Sequence, residues 1–167
     1  AGMPVAVCAN LPYYITSPII MSLLEARLPI VSLTVMVQKE AAQRLCAAPG
    51  SREVGAVSIA VQYYSQPQVL FQVSRGSFMP SPDVDSTVIR LDVRQQPPVQ
   101  LKKEEDFFRV VKAAFSQRRK TLPNTLSAGL AIPKQQALDL LERAGVASNL
   151  RAEQLSMQQF ADVANAL

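Results

Sequence analysis

Pro4–Ile20 reads PVAVCANLPYYITSPII, and the fold turns on how this stretch divides. Pro4–Ala9 is apolar and partly β-branched, which predicts a buried strand. Asn10-Leu11-Pro12-Tyr13 ends it with an amide, two constrained carbonyls and a ring in four consecutive residues. Thr16-Ser17-Pro18 then predicts a helix start, a hydroxyl cap followed by proline at the first helical position. Ile19, Ile20, Leu23 and Leu24 supply the apolar face of that helix, and Pro29 marks its end. Strand, polar turn and helix in succession are the opening of an α/β unit, with the polar turn at the strand's C-terminal end, where open sheets bind ligands.

The alternation continues. Ser32–Gln38 is a second β-branched strand, and Lys39–Cys46 a short helix closed by the turn APGS. Val54–Tyr64 has apolar residues at helical spacing but β-branched content, and the spacing favours helix. Gln68–Val73 is a strand. The loop SRGSFMPSPDVDS leads to Asp85–Val93, where Ile89, Leu91 and Val93 alternate with Arg90 and Asp92. These last two strands form a hairpin-like pair.

RQQPPVQ reads as a linker, and beyond it the pattern turns helical. Phe107, Phe108, Val111, Phe115 and Leu122 recur mostly at three- and four-residue steps. Pro133 starts another helix, Gly145 ends it, and Ser156 with Gln159 forms a capping box before a last amphipathic helix. The expected domains are 1–97, α/β, and 98–167, a small all-α domain.

Composition narrows the chemistry. The chain of 167 residues is 49% hydrophobic, enough for a real core. No apolar run approaches a membrane span, and no signal peptide is visible. The start AGMPVAV enters a strand almost at once, which reads as a fragment. Cys8 and Cys46 are isolated, as expected of reduced thiols. With no histidine, Ser–His and Cys–His nucleophiles and the common zinc sites are excluded, and no metal is expected. The net charge is +4, and the stretch from Phe107 to Leu138 carries Arg109, Lys112, Arg118, Arg119, Lys120 and Lys134 with no acid. Such a field suits a polyanion; a solvated helix face is the plainer reading.

Three motifs in this order resemble the rRNA adenine N6,N6-dimethyltransferases, and among them the bacterial small-subunit (KsgA-type) enzymes: NLPYYITSP, FMPSPDVDSTVIRL and FSQRRKTLPNTL. The resemblance covers essentially the whole chain. It implies the second half of a Rossmann-like class I methyltransferase sheet of order 3-2-1-4-5-7-6, followed by a helical RNA-binding domain. The segment supplies strands 4 to 7, so Pro4–Ala9 has an open edge where strand 1 belongs, through which a fragment could self-associate. It also implies S-adenosylmethionine as methyl donor and the adenines of small-subunit rRNA, within an immature subunit in the cytoplasm, as target.

The same resemblance assigns roles. Asn10 and the Leu11 carbonyl face the target amine and border the donor, Pro12 fixes the loop, and Tyr13 stacks on the base with Phe78 opposite. Lys112, Arg118, Arg119 and Lys120 contact RNA. Tyr14 is expected to pack, and Asp85 and Ser86 to order the loop. The family's glycine-rich turn and ribose-reading acid do not appear: Gly2 opens no helix, and Gly50, Gly55 and Gly76 stand alone. The chain by itself is therefore expected to be inactive. Two alternatives stay open, a non-catalytic RNA-binding or ribosome-assembly factor and an adenine N6-methyltransferase of large-subunit rRNA or DNA.

Overall fold

The computed structural model describes residues 2–167. The chain forms two compact units. One comprises the chain up to Ala47 together with Ala60–Pro97, and the other Ala48–Ile59 together with Pro98–Leu167.

The first unit is built on β1 (Val5–Asn10), α1 (Thr16–Glu25), β2 (Ile30–Gln38), α2 (Lys39–Leu45), the end of α3 (Ala56–Tyr64), β3 (Ser65–Val73) and β4 (Ser86–Val93). The strand order is β1-β2-β4-β3, with β1 and β2 parallel and β4 antiparallel to both its neighbours. This is the 4-5-7-6 half of the expected methyltransferase sheet. Register is set by one apolar face: Leu33 stands opposite Leu91 and Val35 opposite Ile89, all at most 1% exposed. A slip of one residue would turn this row to solvent. β1 is not the buried strand its apolar residues predict: it pairs on one side only, with β2, and most of its residues are exposed, Val5 at 45%.

Two local expectations change. Neither hydroxyl of Thr16-Ser17 caps α1, and Pro18 is not its first residue. A 3₁₀ turn, Tyr13–Ile15, runs directly into the helix, so Ile15 takes the cap position and the Thr16 hydroxyl donates backwards to the Pro12 carbonyl at 3.1 Å. The helix also ends before Pro29, at Glu25, with Ala26 as its C-cap and Arg27 in the left-handed region at φ 50°. The ambiguous stretch before Tyr64 is helical, as its spacing predicts.

The second unit packs α4 (Glu104–Ala114), α5 (Leu122–Leu130), α6 (Lys134–Ala144) and α7 (Met157–Asn165). Phe107, Phe160, Leu122, Leu126, Leu140 and Leu141 are at most 1% exposed, each contributing about 1.5–3 kcal/mol by burial. Gly145 ends α6 at φ 71°, and the Ser156–Gln159 box closes with bonds of 3.2 and 2.9 Å. Gly129 of α5 lies so close to α4 that a Cβ there would stand 2.4 Å from the Ala113 Cβ. The sequence reading assigned Ala48–Ile59 to the α/β part, whereas the structure groups it with the helices. Within that unit the Arg118 guanidinium donates to the Arg52 carbonyl at 2.6 Å and the Val54 carbonyl at 3.4 Å. Among the described residues no helix is long and apolar enough to cross a membrane.

A candidate base-binding cleft

β1 ends at Asn10, and Leu11 leaves the sheet with its N–H still donating to the Met36 carbonyl. Pro12 then holds the backbone extended at φ −58° and ψ 131°. The following 3₁₀ turn sends consecutive tyrosines opposite ways. Tyr13 is half-buried and its hydroxyl shares a hydrogen bond with Ser86 Oγ at the start of β4. Tyr14 is 87% exposed. The expectation that Tyr14 packs is thus overturned: the turn directs the Tyr13 ring to Ser86 and its neighbour to solvent.

The facing wall comes from residues 74–85, which fold back on Arg75. The Arg75 N–H donates to Asp85 Oδ1 at 2.9 Å, and Arg75 Nη1 donates to the Asp83 carbonyl at 2.9 Å. Ser81 Oγ donates to the Arg75 carbonyl, and the Phe78 N–H donates to the same oxygen. Ser74 caps the short turn Arg75–Ser77. Asp85 therefore orders the loop, as expected from its place before the strand, whereas Ser86 opens β4 and bonds Tyr13 instead. The hub, Arg75, was missed. Its only sequence signal is its position ahead of the FMPSP run, which does not distinguish it from any exposed arginine.

Between the two walls lies an open cleft of about 360 Å³ lined by Asn10, Leu11, Pro12, Tyr13, Phe78, Pro80 and Pro82. All five residues expected to hold the base line this one space. Pro80 and Pro82 extend the wall beyond what the sequence reading named, and the Met79–Pro80 bond is cis. The Asn10 side chain is exposed, and neither it nor the Leu11 carbonyl has a partner among the described residues. Two acceptors and two aromatic rings around a slot can receive a flat base and draw on its N–H groups.

The same residues bear on where a methyl donor could sit. Asn10 and Leu11 offer open polar groups at the strand end, which fits the edge of a donor site that faces a base. No carboxylate lines the cleft, so the ribose end of a nucleoside donor finds no acidic partner there. Neither cysteine enters it: Cys8 is on β1, and burial pushes the Cys46 thiol up to about 11.

The four basic residues lie in the second unit, Lys112 in the last turn of α4 and Arg118, Arg119 and Lys120 in the turn before α5, all exposed. Arg118 is committed to the two carbonyls of the Ala48–Ile59 stretch. Arg119, Lys120 and Lys112 have no ion-pair partner among the described residues. Arg109 is drawn to Asp106 at 3.2 Å.

The family described as ribosomal RNA adenine dimethylase matches residues 1–167. Ribosomal RNA small subunit methyltransferase A of Lachnoclostridium phytofermentans is 49% identical over 166 residues, 98% of this chain and 57% of the relative. The protein of the same name from Desulfitobacterium hafniense is 52% identical over 158 residues, 95% of this chain and 56% of the relative. The chain thus spans little more than half the length of these relatives. A dimethyladenosine transferase from Plasmodium falciparum superposes with a TM-score of 0.82 at 26% identity, covering 98% of this chain and 67% of that one. The 23S rRNA methyltransferase ErmE superposes with a TM-score of 0.71 at 24% identity, covering 98% and 65%, which shows the shared fold.

Proposed function

This chain belongs to the ribosomal RNA adenine dimethylase family, and from that premise we propose that the complete protein dimethylates adenine N6 in small-subunit rRNA, using S-adenosylmethionine. The observation that carries the reading is the cleft itself, which gathers Asn10, Leu11, Pro12, Tyr13 and Phe78 around one slot. The names of its bacterial relatives favour the small subunit over large-subunit rRNA or DNA.

In the mechanism proposed, the target adenine leaves its stack and enters the slot, because a methyl donor cannot reach N6 otherwise. Tyr13 and Phe78 hold the ring by its faces. Asn10 Oδ1 and the Leu11 carbonyl accept the two N–H groups of the exocyclic amine. That amine is a poor nucleophile, since its lone pair is delocalised into the ring. Two acceptors on its hydrogens pull it towards tetrahedral geometry and direct the lone pair out of the ring plane. S-adenosylmethionine, when bound, supplies a methyl group made electrophilic by its sulfonium. Catalysis here is positioning and charge placement, which requires no imidazole base. The proton leaves after transfer, when the amine has become acidic. A second methylation needs only one N–H, which either acceptor can still hold.

The helical unit is proposed to bind the RNA backbone through Arg119, Lys120 and Lys112, in an immature small subunit in the cytoplasm. The test is transfer of labelled methyl groups to unmethylated small subunits by the protein with the remaining portion its relatives carry, followed by digestion and identification of the modified base. Label in N6,N6-dimethyladenine supports the reading. RNA binding without any transfer would favour the assembly-factor alternative.

A further inference from the structure

A second cavity of about 390 Å³ opens at the other end of the same sheet. It lies among the C-terminal end of α1, the first residues of β2, the last residues of α3 and the end of β4. Strand register fixes how far this is from the cleft. Asn10 stands beside Met36 and Val5 beside Ile30, six residues apart along β2, or about 20 Å at about 3.3 Å per residue. A base held at Asn10 cannot also fill this space.

The lining is cationic and aromatic. Arg27, Arg94, Tyr63 and Tyr64 contribute to it, and no aspartate or glutamate does. Arg94 is half-buried. Its Nε donates to the Gln62 carbonyl at 2.9 Å and the Ser65 carbonyl at 3.3 Å, which fixes the guanidinium plane. Its two Nη groups have no partner among the described residues. A half-buried cation is normally paired, and an open guanidinium fork is shaped to take two oxygens of one anion. Arg27 adds a second positive charge from a left-handed position, φ 50°, where glycine would be adopted at lower cost. Tyr63, 4% exposed, and Tyr64 meet edge to face with centroids 5.1 Å apart, and Leu28 and Val31 are half-exposed beside them. Gln95 and Gln96 bring amides to the rim.

We propose that this cavity is a second RNA site, which takes one unstacked nucleotide of the substrate away from the target adenine. The Arg94 fork holds its phosphate, and the Tyr64 and Leu28 walls hold its base. The volume is in the range of small-ligand sites and fits a single nucleotide. The amides at the rim favour a nucleotide over bare phosphate, because they match the donor and acceptor edge of a base. The proposal rests on the RNA reading above. It adds that the substrate is gripped at both ends of the sheet, which would set how far the modified adenine lies from the second contact.

The experiment is photocrosslinking of the complete protein to unmethylated small-subunit rRNA substituted, in separate preparations, with 8-azidoadenosine and with 4-thiouridine, with crosslinked peptides mapped. One set of crosslinks is expected in the Tyr13 and Phe78 peptides and a separate set in the peptides carrying Tyr63–Tyr64 or Gln95–Pro97. Gln96→Glu places a negative charge on an exposed lining residue without touching the bonds of Arg94. It should reduce the second set several-fold and leave the first. Arg94→Gln should lower the log–log salt slope of RNA binding by about 0.7. Crosslinks at the cleft alone, or a second set indifferent to Gln96→Glu, overturn this proposal and spare the RNA reading. Crosslinks at neither place overturn both.

Discussion

Tyr13→Phe separates the two things that Tyr13 does. Its ring lines the cleft, and its hydroxyl bonds Ser86, whose side chain is fully buried. Removing the hydroxyl leaves Ser86 Oγ without this partner where water does not replace it, a cost of about 1–3 kcal/mol in stability. The ring face is unchanged, so methyl transfer at saturating RNA should fall by less than about threefold. Tyr13→Ala removes both. Losing one stacked face is worth about 1–3 kcal/mol, or roughly 5- to 160-fold in rate at 1.36 kcal/mol per tenfold. Stability is read by urea unfolding, with the midpoint lowered at unchanged m, and chemistry by single-turnover transfer in the complete protein. Adding Ser86→Ala to Tyr13→Phe should recover part of the lost stability, since no buried hydroxyl is then left orphaned. If Tyr13→Phe slows transfer as much as Tyr13→Ala, stacking is the wrong account of this ring.

Other outcomes follow from named contacts. Replacing Arg119 and Lys120 together with Gln should lower the salt slope of RNA binding by roughly 1.4, about 0.7 per phosphate contact. Arg118→Gln should instead lower the unfolding midpoint, because it releases the Arg52 and Val54 carbonyls; the reverse pattern would refute the assignment. Gly129→Ala forces a Cβ to 2.4 Å from the Ala113 Cβ and 2.6 Å from its Cα, which no rotamer relieves. Overpacking of about 1–3 kcal/mol should outweigh the roughly 1 kcal/mol gained in helix propensity, and a raised midpoint in urea would contradict it. The isolated 167-residue chain should self-associate through the edge of β1, where Val5 is exposed beside open backbone groups. Sedimentation of a clean monomer at micromolar concentration would count against that.

What the sequence disclosed depended on range. The sheet was readable because Ile89 and Leu91 alternate with Arg90 and because β2 is rich in β-branched residues, both local signals of burial. The capping box at Ser156 was readable because both its bonds span three residues. The cleft emerged from two separated motifs, whose meeting the sheet order then explains. Contacts with no local trace were not readable. Tyr13 and Tyr14 are identical neighbours, and only the 3₁₀ turn decides which ring faces in. The Tyr13–Ser86 bond joins residues 73 apart. Arg118 sits in a basic run like any solvated cation, yet it captures carbonyls 66 and 64 residues away. Thr16 has the residue type of a cap, and the turn ahead of it makes it a donor instead.

The central claim is that Asn10 draws on the amine of an adenine held in the cleft. The direct measurement is single-turnover methyl transfer from labelled S-adenosylmethionine to unmethylated small subunits, comparing the complete protein with its Asn10→Ala variant and scoring label in dimethyladenine. Alanine removes an acceptor on an exposed side chain that bonds nothing else among the described residues, so folding and RNA affinity should hold. The account predicts a rate at least about tenfold lower, a barrier raised by about 1.4 kcal/mol. A variant that transfers methyl groups at the parent's rate would contradict it.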